Sequence, residues 1–480
     1  MKKAHSIICW LLVVLSVPTI SIAHRSLQRD RETFQLTRTE PLESAPPALA
    51  FTTVALGAFR GLIANNLWNR AVRLQDEGDY FEMVSLADWI TKLQPDNSMV
   101  WAMQAWNMTY NISVQFDDFN DRWLWVRSGI ELLRDQGLRY NPHSVELHRE
   151  LSWFYQDKIG SNTDYGHWHF KAAWASEMAE ALGPNMDLAA LAAPQTEDDQ
   201  ARAERLREQF KLNPKWMLHV DEHFGPFDWR LPEAHAIYWA DLGIQQVRNE
   251  GDVVPLRRVI WQCMQRAVQR GRVRLSAGEF HYGPNLELIP RAYRAYEEMK
   301  ELEPEKADYI ARGQLNFLKD AIYLYYSHNR IADAAALYRT YQETYPDLVI
   351  EGQGLDAFVV DRVTSVAGAG KLNLVVALLH GTLGRHYLSL AIGDDDQANG
   401  YALLSRQIWE AYQERNAESL QNVSLPTLEE LKQQVLGQIV QGGHGFTPEL
   451  RTALGISVGT ETTTTDENQA DTSTKPGNQD

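Results

Sequence analysis

Residues 219–223 read HVDEH, which sets two imidazoles and a carboxylate at the H-x-x-E-H spacing of a catalytic zinc site. His219 and His223 stand four apart, so a helix brings both to one face. Glu222 lies beside them, where a general base would address a metal-bound water. The chemistry would be hydrolysis, with the metal making that water nucleophilic near neutral pH. A third protein ligand is still required, and Glu297, Glu298 and Glu301 on a later helix are available for it.

The surroundings of the motif weaken this reading. Asn213 and Pro214 suit the N-cap and first turn of a helix whose apolar stripe is Trp216, Val220 and Phe224. Gly225-Pro226 must end that helix early. His223 also belongs to a loop that recurs at His281, and the second copy has no H-x-x-E before it. A surface or capping role for these histidines is favoured, no cofactor is expected, and zinc hydrolysis through His219, Glu222 and His223 is the alternative. Other tempting groups fail on geometry. His167 and His169 are alternate residues, which point apart on a helix. AGAGKLN (367–373) has Ser365 where a phosphate loop needs its first Gly, and Leu372 where it needs Ser or Thr. Asp394, Asp395 and Asp396 precede a helical pattern and suit its N-terminus better than a calcium ion. No G-x-S-x-G motif and no nucleophilic Cys arrangement occurs in the sequence.

A stronger candidate for function lies just downstream, in DWRLPEAHAIYWA (228–240). Asp228, Trp229 and Arg230 form a loop that runs into a helix opened by Pro232, with His235 on its first turns. Trp and Arg are frequent anchors of protein interfaces, so these four residues are the expected partner-binding set. The competing reading pairs Asp228 and Arg230 with each other or with backbone, while Trp229, Tyr238 and Trp239 fill a core.

The elements that would carry these residues are helices. Trp123, Val126, Ile130, Leu133 and Gly137 fall at three- and four-residue steps, and no alternating β-branched run is long enough for a sheet. Pro95, Pro142, Pro184, Pro214 and Pro304 close a regular helix-turn-helix beat. EGDYFEMVSLADWITKLQP (77–95) and HNRIADAAALYRTYQETYP (328–346) resemble tetratricopeptide repeats. Gly78, Tyr80 and Pro95 with Ala71 and Leu74 carry the first resemblance, and Tyr325, Ala334, Tyr338 and Pro346 the second. Met83, Ile90, Ile322 and Tyr341 depart from it, standing where small residues are usual. A second periodicity aligns HFGPFDWRLPEAHAIY (223–238) with HYGPNLELIPRAYRAY (281–296) without gaps, 58 positions apart. The segment from Phe59 to Pro95 and the Gly225–Trp239 loop also resemble a group of exported, TPR-like bacterial proteins with a GPxDWRxPxAHAxYW loop. Gly225, Pro226, Asp228, Trp229, Arg230, Pro232, Ala234, His235, Ala236, Tyr238 and Trp239 fit that pattern. The resemblance implies an architecture and attaches no reaction to it.

The expected fold class is therefore all-α, a right-handed α-solenoid of TPR-like helix-turn-helix repeats. Residues 51–190 would form an N-terminal array, 191–350 a second array with the duplicated loop, and 351–456 a C-terminal helical region. Lys2, Lys3, an apolar run and Ser21-Ile22-Ala23 make residues 1–23 a signal peptide or membrane anchor, so membrane association through residues 6–22 stays open. Charged and Pro-rich residues 24–50 read as a linker, and the polar residues 457–480 as a disordered tail. Cys263 is the one cysteine outside the apolar leader, so an intramolecular disulfide is excluded for the exported part. A net charge of −17 without a basic stripe argues against nucleic acid. The function expected is a non-enzymatic scaffold or adaptor of the bacterial envelope with a protein or peptide partner; a structural envelope component is a further alternative.

Overall fold

Two paired helices open the computed structural model, which describes residues 59–246, 253–276, 279–366, 372–415 and 425–456, together with Ser26. The segments expected to be a leader (1–23) and a tail (457–480), the expected linker (24–50) apart from Ser26, and most of AGAGKLN lie outside the described residues. In order come α1 (Phe59–Glu77), α2 (Tyr80–Leu93), α3 (Ser98–Trp106), α4 (Phe119–Glu131), α5 (Val145–Trp153), α6 (His167–Leu182), α7 (Leu188–Ala192) and α8 (Glu197–Gln209). Then follow α9 (Pro214–Phe224), α10 (Pro232–Gln246), α11 (Val254–Arg270), β1 (Arg272–Ser276), β2 (Glu279–Gly283), α12 (Ile289–Leu302), α13 (Ala307–Ser327) and α14 (Ile331–Thr344). The last are α15 (Leu355–Val366), α16 (Leu372–Ala391), α17 (Asp395–Arg415), α18 (Leu428–Val440) and α19 (Pro448–Ala453). The described chain is predominantly helical, as the periodicity implies.

The helices of stretches 77–95 and 328–346 each pair with the helix before them, α1 on α2 and α13 on α14. Gly78 turns the first with φ +78°, a conformation that costs a Cβ-bearing residue more than glycine, and Asp79 caps α2 by accepting from the Glu82 amide. Ala71 and Ala87 are buried at this crossing, and so are the larger Met83 and Ile90. One continuous core then runs from Trp101 to Leu450, and a small separate cluster joins Ala71, Leu74, Met83, Ile90 and Val100.

Three helices of the first half end in π-turns, at Asn107–Ile112, Leu132–Gly137 and Phe154–Ile159. Each π-turn inserts a residue and rotates the following face, a form often kept for a special purpose. Lys158, in the third, is buried with its Nζ 2.7 Å from Asp164 Oδ2 and 3.1 Å from Ser113 Oγ, while Arg122 reaches Asp164 Oδ1 at 2.8 Å. Burial pulls the Lys158 amine below its ordinary value and its two cationic partners hold the Asp164 carboxyl low.

α10 is buried at every residue from Pro232 to Asp241. A helix hidden all round belongs inside a core rather than on a simple solenoid layer. It packs on α9 and α11 and also on α5 and the π-turn after it, about ninety positions earlier in sequence, whereas a plain solenoid contacts only adjacent repeats. Gly243 permits this crossing: a Cβ there would lie 2.7 Å from His148 Cβ.

A short hairpin interrupts the helices, built without the β-branched alternation that the sequence lacks. β1 and β2 pair as an antiparallel hairpin with Arg272 opposite Gly283, Val273 opposite Tyr282 and Arg274 opposite His281. The duplicated loop is also less symmetric than its sequence. Pro232 and Pro290 both open helices, but the first copy follows helix α9 and the second follows strand β2. Gly225-Pro226 is cis, and Gly283-Pro284 is not.

Candidate functional site

Asn213 caps α9 by accepting from the Lys215 amide, Pro214 fills its first turn, and Val220 is buried with Trp216 and Phe224 partly so. His219 and His223 stack in parallel at 6.0 Å between ring centroids, and Trp216 lies 4.5 Å from His219. Both histidines and Glu222 are exposed. Asp241 of α10 places a carboxylate oxygen 4.0 Å from His219 Nε2. Burial raises the Asp241 carboxyl, and the charges of His219 and His223 partly oppose that shift. Glu297, by contrast, is engaged by Gln314 and Lys300. Among the described residues no three His, Cys, Asp or Glu side chains converge to hold a metal ion.

The residue of HVDEH that organises the site is its middle one. Asp221 Oδ1 accepts from the Phe227 amide at 2.8 Å and from Trp229 Nε1 at 3.0 Å. Its own carbonyl accepts from the Gly225 amide and from Arg291 Nη1. One carboxylate thus closes α9, folds the loop back and holds the Trp229 indole in place. Trp229 is 1% exposed, and satisfying its N–H is what makes so large a ring tolerable in a core.

On either side of Trp229 the chain turns outward to the hairpin. Asp228 Oδ1 and Oδ2 accept from Arg230 Nε at 2.8 Å and Nη2 at 2.7 Å, a bidentate pair. Asp228 Oδ2 also accepts from the Val273 amide at 3.0 Å, and Arg230 Nη2 donates to the Val273 carbonyl at 2.7 Å. In an antiparallel pair one residue's N–H and C=O point to the same side. Both Val273 groups therefore face out of the hairpin, where carboxylate and guanidinium meet them as a neighbouring strand would. Asp228-x-Arg230 is an edge cap on β1. A second tie is Asn285, fully buried, which donates to the Pro226 carbonyl at 2.6 Å and accepts from Arg272 Nε at 3.2 Å.

His235 is fully buried, its ring stacked on Tyr155 and edge-on to Trp174 and Trp229. Its Nε2 donates to the Trp229 carbonyl at 2.8 Å, which leaves Nδ1 buried without a partner. Burial pushes its pKa from 6.5 down to about 4, so the ring is neutral. Of the four residues expected to bind a partner, Trp229 and His235 lie inside the core, and Asp228 and Arg230 line a cleft.

That cleft has a volume of about 440 Å³ and lies between the hairpin, the start of α12 and the turn before α17. Arg230, Arg272, Arg274 and Arg330 line it with Asp228, Glu287, Asp394 and Asp396, and His281 and His328 complete its charged and polar wall. Arg274 is 2.9 Å from Asp394, which also caps α17 by accepting from the Gln397 amide, and Arg330 is 3.1 Å from Glu287. His281 Nε2 is buried with no hydrogen-bond partner among the described residues. A smaller pocket of about 260 Å³ opens beside Tyr282, walled by Trp168, Leu231 and Pro232. Lys171 at its base donates to the Ser161 carbonyl, Asn162 Oδ1 and His167 Nδ1, so its ammonium is fully engaged. Burial lowers that amine to about 8.

Sequence reasoning missed Asp221, Asn285, Arg272 and Arg274. Only the last two carried a local signal, the charged and apolar alternation of RVRLS. Comparison of the chain with family models, with curated proteins and with solved structures finds no match.

Proposed function

We propose that this protein is a non-enzymatic helical scaffold that binds a segment of a partner protein in the cleft beside the Asp228–Arg230 loop. The observation that carries the reading is the cleft itself: about 440 Å³, lined by four arginines and four carboxylates, with Arg272 lacking a carboxylate partner among the described residues, and floored by a hairpin held in fixed orientation. Sites of this kind combine a rigid frame with a few convergent polar groups. Helical repeats of TPR type supply such frames, and right-handed winding of the array belongs to the same proposal. Lys2, Lys3 and the apolar run after them support export or anchoring at a bacterial envelope membrane. Among the described residues no helix is long and apolar enough to cross a membrane.

The test is photocrosslinking in the source cells with p-benzoylphenylalanine at Glu287, on the cleft rim, and at Leu302, exposed on the same helical region. The proposal expects a discrete crosslinked protein at position 287 that is absent at 302. Identical patterns at the two positions would overturn it.

A further inference from the structure

The hairpin has two edges, and only one is closed. Val273 on β1 gives its outward N–H and C=O to Asp228 and Arg230. Its cross-strand partner is Tyr282, so Tyr282 must aim its own N–H and C=O off the opposite edge, and Phe280, two residues earlier, does the same. Among the described residues nothing bonds the main-chain groups of Phe280 or Tyr282 on that side. Tyr282 is 36% exposed. Unpaired edge strands are templates for strand addition, and proteins usually blunt them; here one edge is blunted by a dedicated ion pair and the other is left open.

Both pockets adjoin the open edge, and Tyr282 lines each of them. Side chains alternate across a strand, so Arg272, Arg274 and His281 share one face of the hairpin while Val273 and Tyr282 share the other. The first face looks into the arginine-lined cleft. There Arg272 has no carboxylate partner among the described residues and donates only to Asn285. Gly283 opposite it leaves open space, with nothing within 4 Å of where a Cβ would stand. The second face looks into the apolar pocket walled by Trp168, Leu231 and Pro232. Asp228, Glu287, Asp394 and Asp396 line the same cleft as the arginines. Asp228, Asp394 and Glu287 engage Arg230, Arg274 and Arg330 in turn, which leaves Arg272 and the unpartnered His281 Nε2 on the first face to receive an acid. A strand laid along β2 would send alternate side chains toward these two groups and into the apolar pocket.

We infer that the partner segment binds by strand addition to the β2 edge, as an extended peptide alternating acidic and apolar residues. The acids meet Arg272 and His281, and the apolar side chains enter the pocket between Trp168 and Tyr282. The inference rests on the peptide-binding reading above and specifies its chemistry. Main-chain bonds supply affinity in this mode, and the alternating pockets supply specificity.

The probe is a fluorescein-labelled, end-capped peptide alternating glutamate and leucine, titrated into the full chain by fluorescence anisotropy. Its competitors are the lysine–leucine counterpart and the same glutamate–leucine peptide N-methylated at every second residue. Saturable binding is expected for the first, with at least about tenfold weaker binding of the lysine and N-methyl forms. Arg272→Gln should weaken the glutamate peptide at least about tenfold at a temperature where the variant stays folded. Tyr282→Pro removes an edge donor that the β1 ladder does not use, and should abolish binding. If that variant unfolds, the N-methyl peptide still decides. Equal binding of the N-methyl and unmodified peptides, or no saturable binding of either, would overturn strand addition. A dimer in sedimentation that Tyr282→Pro dissociates would assign the edge to a second copy and overturn the peptide. Crosslinking at position 287 with failure of every peptide would leave the scaffold reading standing and remove only this inference.

Discussion

Asp228→Ala tests whether the Asp228–Arg230 pair caps the hairpin. The carboxylate accepts four hydrogen bonds, from the Arg230 amide, Nε and Nη2 and from the Val273 amide. The side chains are 3% and 18% exposed, so water can replace little of what is removed. Removing one member of a buried pair typically costs about 3–5 kcal/mol because the other charge is stranded. Arg230 keeps the Val273 carbonyl and some solvent, which places the expected cost near the lower bound, about 3 kcal/mol. Further replacement of Arg230 by Met removes the stranded charge and should recover at least about 1 kcal/mol of it. A long helical array need not unfold in a single step, so the readout is local: hydrogen exchange at the Val273 amide alongside the urea midpoint. Val273 should exchange at least about a hundredfold faster in Asp228→Ala, the factor that 3 kcal/mol implies. Unchanged Val273 exchange with a cost below about 1 kcal/mol would refute the edge cap.

Four further outcomes follow from the structure. His235 is neutral in the fold, with its pKa lowered from 6.5 to about 4, so between these values the unfolded chain binds more protons. Stability should therefore be complete above pH 6.5 and fall by about 3 kcal/mol as pH drops to 4, and pH-dependent urea midpoints should lose this component in His235→Gln. Gly243→Ala forces a Cβ to 2.7 Å from His148 Cβ and should cost about 1–3 kcal/mol, read as a lower melting temperature. Within HVDEH, Asp221→Ala should destabilise by about 2 kcal/mol by orphaning Trp229 Nε1, whereas Glu222→Ala on the exposed face should stay within about 0.5 kcal/mol. Elemental analysis checks the alternative reading: stoichiometric zinc that disappears with His219→Ala would restore hydrolysis.

What the sequence could reveal here depended on distance along the chain. Helix ends were legible because their signals are local: Asn213-Pro214 before α9, and Asp394 before α17. Apolar spacing marked Trp123, Val126 and Ile130 as core, and they are buried. The π-turn that follows them was not legible, since one inserted residue leaves no separate mark in the pattern. The hairpin was overlooked because each strand has five residues and its alternation uses Arg and His rather than β-branched residues. Asp221 lay in plain sight, yet its role depends on an indole eight positions away, which spacing does not disclose. Likewise the pairing of Asp228 with Arg230 could be raised from their spacing, and only the return of Val273 from 45 residues downstream explains what the pair does.

The most direct measurement is residue-resolved amide exchange across the hairpin, in the free protein and with the glutamate–leucine peptide. The account predicts a protected Val273 amide and a fast-exchanging Tyr282 amide in the free protein, with Tyr282 becoming protected when peptide is added. A Tyr282 amide already as slow as Val273 without peptide, or one unmoved by saturating peptide, would contradict it.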